Sequence, residues 1–113
     1  MGNKGYYTSP TIFADVKDEH LISKEEIFGP VKSILKFDDN DEVIARANAT
    51  NYGLGAGVVT ENHAEANYFV KHLRAGTVYV NCYNVFDATT PFGGFRDSGI
   101  GRELGEEGLS NYL

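Results

Sequence analysis

A single cysteine, Cys82, stands in the 113 residues. One thiol forms no internal disulfide, so a reducing compartment suits the chain better than a secretory one. Long apolar runs are missing too. None approaches the roughly 18 residues that span a bilayer, and "MGNKGYYTSP" at the start has no apolar signal core. Positive charge is in deficit: 10 Lys and Arg stand against 16 Asp and Glu, for a net charge of −6. Nucleic acid and anionic membrane surfaces reward clustered Lys and Arg, so neither is an expected partner. His20, His63 and His72 lack metal-ligand spacing, so no metal is expected. "NAT" at 48–50 matches a glycosylation acceptor but has no secretory signal to give it meaning. Repeats, low-complexity tracts and linkers are absent as well.

What remains is an ordinary globular composition, 42% hydrophobic and 23% charged, at a length that suits one small domain. The pattern alternates strand and helix, and the expected class is α/β. "TIFADV" (11–16) reads as a short strand, and "SKEEI" (23–27) as one helical turn stopped by Gly29-Pro30. "VKSILKF" (31–37) alternates as a strand whose lysines suit an exposed edge. Asp39 with Glu42 forms a capping pair for a helix over 38–50. "YGLGAGVVT" (52–60) suits a buried strand. Asn62 caps the clearest helix, with Ala66, Phe69, Val70 and Leu73 at helical spacing and Gly76 in a left-handed closing position. "TVYVN" (77–81) is β-branched and aromatic, hence a strand, and "GRELGEEGLSNYL" (101–113) reads as a glycine-weakened final helix. From 31 to 81 the expected order is strand–helix–strand–helix–strand, mostly parallel, with flanking helices.

Ligands in open α/β sheets collect beyond the carboxyl ends of strands. The loop from Asn81 to Phe95 leaves such an end and carries Tyr83, Phe86, Phe92 and Phe95. These rings either plug the sheet end or form an apolar substrate wall. Cys82 opens the same loop. A nucleophilic cysteine needs a neighbouring base, cation or helix N-terminus, and no Cys-His signature is present, so a half-buried small side chain is expected. "GFRDSGIGRELGEEG" leads glycines into a helix near Arg96 and Arg102, and could offer backbone N–H groups to an anion. Neither it nor "GLGAG" at 53–57 has the spacing of a phosphate or dinucleotide fingerprint. In "EEIFGPV" (25–31), two carboxylates abut Ile27 and Phe28 before a rigid stop. A solvated turn anchored by Phe28 is one reading. The other is a ribose contact, with the acid accepting hydroxyl hydrogen bonds and the ring packing a sugar face.

Three ordered motifs, "KEEIFGPV" (24–31), "GTVYVNCYNVF" (76–86) and "PFGGFRDSGIGRELGEEGL" (91–109), give the chain a resemblance to the aldehyde dehydrogenase superfamily. It is most similar to the C-terminal part of the catalytic domain in cytosolic and mitochondrial NAD-dependent aldehyde and retinal dehydrogenases. The resemblance runs from "KGYYTSPTIF" to the end. It implies an enzyme that oxidises an aldehyde to a carboxylic acid with NAD, NADP not being excluded. In such enzymes an upstream cysteine attacks the aldehyde, and an upstream glutamate helps water cleave the thioester. It further implies that Glu26 and Phe28 contact the nicotinamide ribose, and that Phe86 and Phe92 line the substrate tunnel with Tyr83 and Asn84 beside them. Several relatives carry an acid at the position of Asn84. Glu103 would relay protons, Arg102 would lie near a subunit interface, and Cys82 would not be the nucleophile. A homo-oligomer is implied for a full-length protein, cytoplasmic or mitochondrial.

The family's nucleophile motif, general-base motif and cofactor domain have no counterpart here, and the family chain continues past "LSNYL". The expectation is a fragment of the catalytic domain over 1–113, unable to catalyse the reaction alone. The alternative is a truncated, non-enzymatic paralogue serving as a structural or binding protein, as some family members do in eye lenses.

Overall fold

The computed structural model describes residue 2 and residues 4–113. The chain divides into two compact units, Met1–Val43 and Ile44–Leu113. In the first, β1 (Thr11–Phe13) pairs in parallel with β2 (Val31–Ser33), Thr11 opposite Val31 and Phe13 opposite Ser33. The ladder runs on past the strand ends, because Ile34 N donates to Phe13 O at 2.8 Å and Val16 N to Ile34 O at 3.1 Å. Among its described residues, Val16 is the buried apolar side chain of this unit. Between the strands lies a 3-10 turn, Leu21–Ser23. The helical turn expected over 23–27 is thus found one turn earlier. Ser23 Oγ donates to His20 O at 2.7 Å, which closes that turn and leaves residues 24–27 non-helical.

Helix α1 (Asn40–Ala47) crosses from one unit to the next along the chain. Its start is capped as the sequence suggests. Glu42 N donates to Asp39 Oδ1 at 2.8 Å, while the Glu42 carboxylate accepts from Asp38 N at 2.8 Å.

The second unit is built on a β–α–β element. Strand β3 (Gly55–Val58), helix α2 (His63–His72) and strand β4 (Thr77–Val80) follow in order, and β3 and β4 pair in parallel from Gly55 opposite Thr77 to Val58 opposite Val80. A parallel pair needs a crossover of about a dozen residues, and α2 supplies it. Asn62 caps α2, its side chain accepting from Ala64 N at 2.9 Å and Glu65 N at 3.2 Å. Ala66 and Phe69 of α2 are buried with Tyr79 of β4, and Ile44 of α1 is the remaining buried side chain of the unit. No described side chain is fully buried, so the core is thin.

Three further expectations fail. The strands do not join one sheet: the described strands form two two-stranded parallel sheets, β1–β2 and β3–β4. A strand of three residues carries too little periodicity to choose its neighbour, so the β1–β2 pairing was not legible. Gly76 is not left-handed. Helix α2 instead ends at an extended Leu73, and Asn48 serves the freed groups, donating to His72 O at 2.9 Å and accepting from Arg74 N at 2.8 Å. Gly76 is required for space, because a Cβ there would stand 1.7 Å from Gly93 O. Finally, 101–113 is not an α-helix. Gly101, Leu104 and Gly105 take φ of 83°, 61° and 59°, which a right-handed helix cannot contain, and only a 3-10 stretch at Glu107–Asn111 follows.

Candidate functional site

Glu26 and Phe28 belong to the first unit and are exposed. Phe28 is 86% exposed and adopts φ 53°. A bulky residue in the left-handed region is an outlier, costing about 1–2 kcal/mol. Val31 N donates to Gly29 O at 2.7 Å and tightens the turn that follows. The ring is therefore presented outward from a closed turn rather than packed as an anchor. An acid and an aromatic face displayed together suit a sugar, the carboxylate accepting hydroxyl hydrogen bonds and the ring covering carbon.

The remaining candidates lie in the second unit, around the loop after β4. Asn81 N donates to Val58 O at 2.9 Å and prolongs the strand pairing by one residue. Its side chain then spans to the far end of β3, accepting from Thr60 N and donating to Thr60 O, each at 2.9 Å. Asn81 and Asn84 take φ of 53° and 59°, conformations that asparagine adopts more readily than most residues. The chain turns back, and the Tyr83 ring comes to 5.2 Å from that of Tyr79. Tyr83 is 70% exposed. Phe86 and Phe92 meet edge to face with centroids 5.0 Å apart, an arrangement their ring quadrupoles favour. Between them Asp87 accepts from Thr89 N at 2.8 Å and from the Thr89 hydroxyl, bonds that hold its carboxyl below its ordinary range.

Phe92 is fastened to Glu103 by an isolated antiparallel bridge, with N–H to O distances of 2.7 Å both ways. The structure thus joins Phe86 to Phe92 through their rings and Phe92 to Glu103 through their backbones. Tyr83 packs toward the strand pair, and Asn84 is exposed. The Glu103 side chain is exposed. Beside it, Arg102 lies across its own loop, donating through Nη1 to Gly94 O at 2.9 Å and Gly101 O at 2.7 Å, its Cζ 4.9 Å above the Phe95 ring. Gly93 leaves the space for this, since a Cβ there would meet Arg102 Cδ at 2.6 Å. A shallow cavity of about 380 Å³ opens along this loop between Phe92, Gly94, Ser98 and Arg102.

Cys82 is exposed, not half-buried, because the turn at Asn81 carries it off the sheet end. Asn48, first residue of the "NAT" triplet, has both halves of its amide engaged by backbone, so a glycan on Nδ2 would displace a structural bond. The described residues contain no cluster of acids, His and Cys able to hold a metal, and no helix long and apolar enough to cross a membrane. Sequence reasoning named the rings but missed the residues that place them. Asn81 was visible only as a strand end, although an asparagine directly after a β-branched run is a signal for a left-handed turn.

The model of the aldehyde dehydrogenase family matches residues 1–113. The mitochondrial benzaldehyde dehydrogenase of Antirrhinum majus is 61% identical over 113 residues, covering 100% of this chain and 21% of that protein. Aldehyde dehydrogenase 1A1 of Gallus gallus is 59% identical over 111 residues, covering 98% of this chain and 22% of that protein. Among solved structures, the NAD+ complex of an aldehyde dehydrogenase from Bacillus cereus superposes with a TM-score of 0.95 at 53% identity, covering 99% of this chain and 23% of that one. The chain thus spans about a fifth of the length of the curated relatives it matches. With its α/β fold, parallel strand pairs and all three motif segments inside these alignments, the chain belongs to the aldehyde dehydrogenase family.

Proposed function

We propose that this chain is the part of an NAD-dependent aldehyde dehydrogenase that carries the nicotinamide-ribose contacts and one wall of the substrate tunnel. The observation that carries the reading is Phe28, a large ring held in a strained backbone conformation and turned 86% outward two residues beyond the exposed Glu26. Strain of this kind persists where function repays it. The Glu26 carboxylate accepts hydrogen bonds from ribose hydroxyls, and the Phe28 ring covers the sugar. These residues fit NAD, which when bound would accept the hydride lost as an aldehyde, with the oxygen of a water, becomes a carboxylic acid. The edge-to-face pair of Phe86 and Phe92 keeps water from the aldehyde's apolar portion, with Tyr83 and Asn84 beside it. The Glu103 carboxylate takes and passes a proton. The substrate is a small-molecule aldehyde, the setting cytosolic or mitochondrial, and the working assembly a homo-oligomer. Alone, the 113 residues are inactive, because the family's nucleophile and general-base motifs have no counterpart among them.

The test is to exchange these residues for the matching segment of the Bacillus cereus enzyme and follow NADH production from an aldehyde. Activity is expected, and Glu26→Gln should raise the KM for NAD about tenfold, since a hydrogen bond to a charged group is worth about 1.5–3 kcal/mol. A folded exchange enzyme whose KM for NAD ignores both Glu26→Gln and Phe28→Ala defeats the reading.

A further inference from the structure

We infer that Asn81 is a positioning residue for the tunnel wall, and that it works by clasping Thr60. Three groups of one residue act on the same strand end. The backbone N–H reaches Val58 O at 2.9 Å, the side-chain oxygen takes the Thr60 N–H at 2.9 Å, and the side-chain N–H reaches Thr60 O at 2.9 Å. The amide imitates the next residue of a neighbouring strand, so β3 and β4 stay tied where backbone pairing has run out. Its φ of 53° then reverses the chain. The return drops the Tyr83 ring over Gly57 and Tyr79: a Cβ on Gly57 would touch Tyr83 Cδ2 at 3.6 Å, and the two tyrosine rings are 5.2 Å apart. Glycine would supply the left-handed turn without the clasp. Aspartate would accept from Thr60 N but could not donate to Thr60 O. Alanine offers neither bond and resists the turn. Asparagine alone among these meets every demand. The inference rests on reading the loop as a substrate wall, and the experiment separates the two.

Asn81→Gly and Asn81→Asp are made in the full 113-residue chain and studied by NMR. In the wild type, the Thr60 amide should resist hydrogen exchange and the Tyr83 ring should show a nuclear Overhauser contact to Gly57. In Asn81→Gly, Thr60 should exchange about tenfold faster, the equivalent of one lost hydrogen bond, and the ring contact should fall severalfold. Asn81→Asp should keep the Thr60 amide protected while the ring contact weakens, a partial rescue that general loosening would not produce. The amide of Leu73, bonded to Phe69 O at the end of α2, reports whether the unit is intact. If Asn81→Gly unfolds the unit, Asn81→Asp decides alone. Either variant with wild-type Tyr83 contacts overturns the inference. Benzaldehyde is added as the probe in a separate arm. Wild-type loop amides 82–95 that do not respond to it count against the wall, while the ring contact still decides the role of Asn81.

Discussion

Replacing Gly76 with alanine drives a methyl group into the loop that carries half of the candidate site. The added carbon would stand 1.7 Å from Gly93 O and 2.8 Å from Gly93 C. Carbon and carbonyl oxygen settle at about 3.3–3.6 Å, so one backbone must move by at least roughly 1.6 Å. Gly76 directly precedes β4 and its N–H donates to Gly53 O at 3.0 Å, so the glycine-rich loop should give way. Its release breaks Phe95 N to Gly53 O (3.1 Å), Asp97 N to Asn51 O (3.0 Å) and Gly53 N to Ser98 Oγ (2.9 Å). At about 1 kcal/mol net for each bond, the loss is about 3 kcal/mol. The loop is destabilised locally by that amount, roughly a hundredfold or greater increase in opening. Site-resolved hydrogen exchange reads it directly: the amides of Phe95 and Asp97 should exchange about a hundredfold faster, while that of Asn81, bonded to Val58 O, should hold. Gly29→Ala is the control, since nothing stands within 4 Å of its added carbon. Wild-type exchange at Phe95 and Asp97 in the Gly76→Ala protein would refute the steric argument.

Asn62→Ala removes the acceptor of two N–H groups at the start of α2 and should cost about 1 kcal/mol by denaturant unfolding; no change would show that the cap is idle. Asp15 is held below its ordinary value of 3.8 by its hydrogen bond to Lys36, then by the charge of that lysine. A lowered carboxylate contributes stability that is present above pH 3.8 and lost as pH falls through the folded value. An NMR titration should therefore show Asp15 titrating higher in Lys36→Met than in the wild type, and equal midpoints would dismiss the pair. With Ile12, Val59 and Ile100 at 66%, 88% and 102% exposure and strand edges open, the folded chain should self-associate as its concentration rises. Sedimentation that shows a monomer at every concentration would contradict this.

Strong local signals were legible in the sequence and weak ones were not. Helix α2 carries its cap, its spacing and its acidic first turn within a dozen residues, and it forms where the pattern places it. Strand β4 is β-branched and aromatic throughout. Pairing of β1 with β2 depends on two three-residue segments separated by a long connection, and no local pattern encodes it. The tail misled because "GRELGEEGL" has helix formers between glycines, while the chain puts Leu104 and Gly105 in succession into the left-handed region. The rings of the site were legible as a composition anomaly. What holds them was not, because Gly76 acts through a neighbour seventeen positions away and Asn81 through one twenty-one away.

Backbone strain links the two units' candidate sites without reference to their relative placement. Among the described residues, the non-glycine positions with left-handed backbone are Asp15, Phe28, Asn81, Asn84, Arg96 and Leu104. All but Asp15 lie within 24–31, 76–86 or 91–109, the motif segments, which make up about a third of the chain. Phe28, Arg96 and Leu104 each cost about 1–3 kcal/mol there, and Asp15, Asn81 and Asn84 less, together a large share of a total stability of about 5–15 kcal/mol and larger still against a thin core. Relaxing one of them tests whether the strain is incidental. Phe28→Gly keeps the backbone conformation and deletes the ring, whereas Pro30→Ala keeps the ring and frees the stop that follows it. If the strain serves to present the ring, then in the segment-exchanged enzyme both changes should raise the KM for NAD while thermal stability rises or holds. If Phe28→Gly stabilises the protein and leaves that KM alone, the left-handed turn is a relic of packing and the ribose assignment fails with it.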